Sequence, residues 1–107
     1  MAKLYKSGIQ TITTTGTYTN LYTVSTNRKF DLQSIEVNNK SSDDAYVDFY
    51  DATDKKYTLR VAASSDTTRN QNQLKGFYFE TNCRAYVTNV GGGASCNVDV
   101  AIGGEEY

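Results

Sequence analysis

The chain has no histidine, no tryptophan and only two cysteines, and none of its 107 residues falls in a long apolar run. Without histidine the usual general base, the serine triad and most transition-metal sites are excluded, leaving only carboxylate or lysine chemistry. Neither an enzyme nor a cofactor is expected. A bilayer span needs about 20 consecutive apolar residues, and with 38% hydrophobic residues and no such run the chain points away from a membrane partner. Charge of one sign is missing too. The 11 basic and 12 acidic residues sum to −1, with no basic stripe of the kind that binding to phosphate backbones requires. Nucleic acid is not an expected partner. Arg28-Lys29 and Lys55-Lys56 fall at turns, where solvated charge is sufficient explanation. The segment "MAKLYKSGIQTITTTG" has two lysines but no apolar stretch after them, so no secretory signal is expected.

What is present is β character. Thr, Val, Tyr and Ile dominate the ordered-looking runs, and apolar residues do not recur at helical spacing. In "AYVDFY" the two-residue period of a strand puts Ala45, Val47 and Phe49 on one face and Tyr46, Asp48 and Tyr50 on the other. After the turn "DATDKK", the run "YTLRV" directs Tyr57, Leu59 and Val61 inward and completes a hairpin. "RAYVTNV" and "NVDVAI" flank "GGGAS" and predict a second hairpin, because glycine supplies the positive φ angles of tight reversals. In "KFDLQSIEV" the apolar parity switches from Phe30 and Leu32 to Ile35 and Val37, a slip that a bulge near Gln33 or Ser34 absorbs. With "LYKSGIQTI", "TYTNLYTV" and "LKGFYFE" this gives seven to eight strands in a single domain, residues 1–107. The spacing is that of an antiparallel β-sandwich or jelly roll. The predicted core is Val47, Phe49, Leu59, Val61, Val87, Val98 and Val100, and "AASSDTTRNQNQ" is a loop with room for a short polar edge strand.

Three groups of residues invite a functional reading. Asp43, Asp44, Asp48, Asp51 and Asp54 cluster in sequence, but without the spaced ligands and glycine of a calcium loop, so no metal is expected. Cys83 and Cys96 would lie at different heights on the second hairpin, beyond the roughly 7 Å Cα separation that a disulfide allows. They read as free thiols of a protein made in a reducing cytoplasm. The nine tyrosines outnumber the places a core has for them, and outward tyrosines suit protein interfaces or the faces of sugar rings. The candidate interface residues are Tyr5, Ile9, Tyr46, Tyr50, Tyr78 and Tyr107, with segments 1–12 and 103–107 as docking arms.

The stretch "LYTVSTNRKFDLQSIEVNNKSSDDAYVDFYD", followed by a strand and "AASSDT" and closed by "NVDVAI", resembles small bacteriophage virion proteins of jelly-roll-like β-sandwich fold. In that family a strand enters a tight corner and leaves in a strand of the form K-x-x-L-x-S-I-x-V-x-N. Leu21, Tyr22, Val24, Lys29, Leu32, Ser34, Ile35, Val37 and Asn39 stand at the matching positions, over a match spanning residues 20–102. Ser25 and Asn27 replace the family's corner proline and glycine, although asparagine accepts a left-handed conformation. The resemblance implies a head decoration, fibre-base or tail-associated component, located in the virion and made in the host cytoplasm. The partners it implies are the major capsid protein or another virion protein, together with further copies of itself, a trimer being favoured. The alternative is a carbohydrate-binding or receptor-binding module of a fibre or tail.

Overall fold

The computed structural model describes residues 3–107, and among them there is no helix: ten strands form two antiparallel sheets. The six-stranded sheet is organised by β10 (Ser95–Glu106). On one side of β10 lie β1 (Lys3–Lys6) and β2 (Gln10–Thr14), placed end to end, and on the other lies β4 (Phe30–Asn39). Beyond β4 come β7 (Ser65–Arg69) and the two-residue β8 (Tyr78–Phe79). The four-stranded sheet runs β3 (Tyr18–Thr23), β9 (Asn82–Asn89), β5 (Ala45–Asp51), β6 (Asp54–Val61).

The inward residues of both sheets meet in one apolar cluster that contains Phe30, Phe49 and Phe79. All seven residues of the predicted core are at most 2% exposed. The parity switch in β4 is resolved as the sequence suggests. Gly103 pairs with Ser34 and Gly104 with Leu32, so Gln33 is the extra residue of a bulge. Phe30, Leu32, Ile35 and Val37 are all buried as a result. Gly104 completes the device, since a Cβ there would lie 2.7 Å from Cζ of Phe30. In the corner between β3 and β4, Asn27 adopts a φ of 62°, the left-handed conformation its side chain tolerates.

Buried polar groups tie the two layers together. Asn39, fully buried, donates to the carbonyls of Asp43 at 2.9 Å and Val61 at 3.2 Å and accepts from the Ser41 amide at 3.0 Å. At the other end, Glu106 accepts from the Ser25 amide at 2.8 Å and the Ser25 hydroxyl at 3.0 Å. Tyr22 also hydrogen-bonds Glu106, and burial first, then this bond, pushes its hydroxyl up to about 12.

Two expectations are corrected. The glycine segment after β9 is no hairpin, because β9 belongs to the four-stranded sheet and β10 to the six-stranded one, so residues 90–94 cross between layers. Local pattern specifies a reversal there but not the sheet in which the chain re-enters. The strand count is ten among the described residues rather than seven to eight. "LYKSGIQTI" divides because Ser7 turns inward, its amide donating to the Ile102 carbonyl and its hydroxyl accepting from the Ile102 amide, both at 2.8 Å. The loop with room for a strand supplies β7, and "LKGFYFE" keeps only Tyr78 and Phe79 as strand.

Candidate functional site

Alternation in β5 and β9 sends Ala45, Val47, Phe49, Cys83, Ala85 and Val87 into the core, so their neighbours face outward. Register then arranges those neighbours in rows. Tyr18 lies opposite Tyr86, Tyr86 opposite Asp48, and Asp48 opposite Thr58. Below them Asn20, Arg84, Tyr50 and Lys55 form a second row, and Thr88, Tyr46 and Arg60 a third. Tyr18, Tyr50 and Tyr86 make a cluster with ring centroids 5.1 to 5.8 Å apart, within the range of favourable aromatic pairs.

The arginines of this face are held by its rings. The Arg84 guanidinium stacks 3.7 Å from the Tyr18 centroid, and its Nη2 donates to the Ala52 carbonyl. Its Nε is buried with no hydrogen-bond partner among the described residues, so the electron-rich face of Tyr18 is what offsets its desolvation. Arg60 lies 5.4 Å from the Tyr46 centroid, donates to the Tyr46 hydroxyl at 3.1 Å and pairs with Asp44 at 2.9 Å. The Arg60 hydrogen bond, with one from the Ala63 amide, holds the Asp44 carboxyl below its ordinary range. Asp48, outward in register yet buried, accepts from Thr58 at 2.8 Å and pairs with Lys55 at 3.5 Å. The face is therefore a rigid surface of rings, with most of its charges already matched.

The predicted interface residues separate into groups. Tyr46 and Tyr50 belong to this face. Tyr78 and Tyr107 pair edge to face at 6.4 Å, with the Tyr107 hydroxyl pushed up to about 12, first by its hydrogen bond to Tyr78. Tyr5 packs 4.3 Å from the Tyr22 ring and donates to the Leu21 carbonyl at 2.9 Å. Ile9 is 71% exposed on the outer face of the other sheet. Of the segments expected as docking arms, residues 3–6, 10–12 and 103–106 lie in β1, β2 and β10, and residues 1–2 lie outside the described residues. Arg60 stands outward as the alternation of "YTLRV" directs, whereas Tyr18, Tyr86 and Arg84 are the members of the face that the sequence reading missed. The alternation of "RAYVTNV" carries the signal for Arg84 and Tyr86.

The aspartate cluster is dispersed. Asp51 accepts from the amides of Glu80 and Thr81, each at 2.8 Å, and Asp54 pairs with Lys56 at 3.2 Å. Cys83 and Cys96 are both free and lie in different sheets. Burial pushes both thiols up, Cys83 the further. On the six-stranded sheet a groove of about 310 Å³ is lined by Ile9, Glu36, Asp66, Asp99 and Ala101, among others.

Neither a protein-family model nor a curated protein matches the sequence. Among solved structures, the chain is similar to one from Bacillus endospore appendages, described as a novel family of disulfide-linked pili. The TM-score is 0.59 at 15% identity, over 99% of this chain and 87% of that one. It is also similar to a chain of the acidic-stable capsid of Helicobacter pylori bacteriophage KHP30, with a TM-score of 0.54 at 16% identity, over 100% of this chain and 98% of that one. At such identities the likeness is one of all-β fold.

Proposed function

We propose that this chain is a non-enzymatic structural protein of a bacteriophage virion, a capsid decoration protein that associates with itself and seats on the major capsid subunits. The observation that carries the reading is the tyrosine and arginine face on a rigid sheet. These residue types are enriched in protein interfaces and at their hot spots, and here ring stacking and ion pairs fix them before any partner arrives. The strand order supports a jelly-roll sandwich. β2, β10, β4 and β7 lie in one sheet and β3, β9, β5 and β6 in the other, the alternation of layers found in double Greek keys, which viral capsid domains use. The likeness of fold to a phage capsid chain points the same way.

Sugar binding is the weaker reading of the same rings. Arg84 covers one side of Tyr18, and Tyr50 meets it edge-on at 87°, so a sugar would have to displace contacts already made. A glycan array with no hits is the expected result. The test of the virion reading is to add purified protein to particles assembled without it. Saturable binding that weakens when Tyr46 and Tyr50 are changed to serine is expected, and wild-type protein that fails to bind contradicts it.

A further inference from the structure

The two outer faces differ in charge as well as in shape. On the four-stranded sheet Arg60, Lys55 and Lys56 are each matched by an aspartate, and Arg84 makes no ion pair among the described residues, leaving that face with an excess cation. The opposite face reverses this. Alternation along β4, β10 and β7 turns Asp31, Glu36, Asp66, Asp99 and Glu105 outward, against the exposed Lys6 of β1 opposite Gly103. Of these only Asp99 has a cation, Lys40 at 3.0 Å, among the described residues. Glu36 stands opposite Ala101 and Thr68, while Asp66 and Asp99 flank Asn38 in the neighbouring row. Between them lies the groove, with small Ala101 in its lining and exposed Ile9 beside it. A cavity of about 150 Å³ takes a benzene ring, so the groove of about 310 Å³ has room for a tyrosine side chain.

We propose that copies of this chain associate face to back: the Tyr18, Tyr50, Tyr86 and Arg84 face of one copy seats on the Ile9, Glu36, Asp66 and Ala101 groove of the next. Tyr18, on the edge strand and 42% exposed, lays its exposed part over the mouth of the groove while keeping its stack on Arg84, which brings its charge toward Glu36 and Asp66. The back repels a second back, since it would set carboxylates against carboxylates. From strand spacing and rise, the four-stranded face measures roughly 20 Å on a side. That is smaller than the roughly 800 Å² per partner of a standard interface, so a single contact is weak and association is expected at high protein concentration. Because the two faces lie on opposite sides of the molecule, the contact is heterologous and adds copies in a row. It rests on the tyrosine face being an assembly surface, and not on which particle carries it.

The test uses purified full-length chain in solution, apart from any particle. The back variant is Glu36→Lys with Asp66→Lys, at exposed sites without ion-pair partners among the described residues, and the front variant is Tyr18→Asp. Wild type is expected to self-associate at low ionic strength and to dissociate as salt rises, because exposed charges are screened beyond about 10 Å at 0.1 M. Each variant alone should lose about tenfold or more in self-association. Mixed one to one, the two should form a heterodimer, since each retains the face the other lacks. A back variant that associates as strongly as wild type overturns the contact, as does a mixture of folded variants that stays monomeric or a trimer mass indifferent to both changes. If Tyr18→Asp fails to fold, the back variant mixed with wild type decides, because it should cap wild-type rows and shorten them. Particle binding by a wild-type chain that never self-associates would refute this contact and leave the virion reading intact.

Discussion

Phe49 is fully buried between the layers and packs 6.4 Å from Tyr57, so truncating it removes apolar contacts and leaves a cavity. Phe49→Ala is expected to cost about 3 to 5 kcal/mol in denaturant unfolding, and a loss below about 1 kcal/mol would contradict the packing. Tyr22 sets an alkaline limit. Its folded pKa of about 12 lies above the ordinary 10.0, so the neutral hydroxyl is the form the fold favours. Its contribution is complete below about pH 10 and is lost as the pH climbs from there toward 12. In an alkaline titration Tyr22→Phe should flatten that loss, and an unchanged alkaline transition would show that Tyr22 does not set it. At this scale the sequence was legible wherever a side chain's parity decides its place, as with Val47 and Phe49. Arg84 and Tyr18 were harder to read, because their stacking joins neighbouring strands 66 positions apart in the chain and no local pattern records it.

Among the elements, β4 tests the parity argument directly. Its bulge at Gln33 lets Phe30 and Leu32 face the same core as Ile35 and Val37. Deleting Gln33 forces one pair outward, exposing two large apolar side chains at about 1.5 to 3 kcal/mol each. Gln33→Ala keeps the bulge and should cost no more than about 1 kcal/mol. Thermal melts that rank the two variants equally would contradict the bulge's role. This element was readable because the slip lies within one strand. The reversal at residues 90–94 was not, since β10 takes its partners from β1, β2 and β4, far away in sequence. A glycine-rich turn looks the same whether the next strand joins its predecessor or the opposite layer.

For the whole molecule, the proposed role in assembly rests on the two unlike outer faces of a two-layer body. The sequence showed outward tyrosines but divided its six interface residues among surfaces that the fold keeps apart, because a list of exposed rings carries no information about which sheet each one decorates. Tyr46 and Tyr50 share the face with Tyr18 and Tyr86, whereas Tyr5 is turned toward Tyr22 and Phe30. The virion reading is tested most directly by counting this chain in purified phage particles by quantitative mass spectrometry against the major capsid protein. The expected result is a fixed, reproducible ratio, with many copies per particle that stay bound through a density gradient. Particles that carry none of it, or a trace that washes away, would contradict the account.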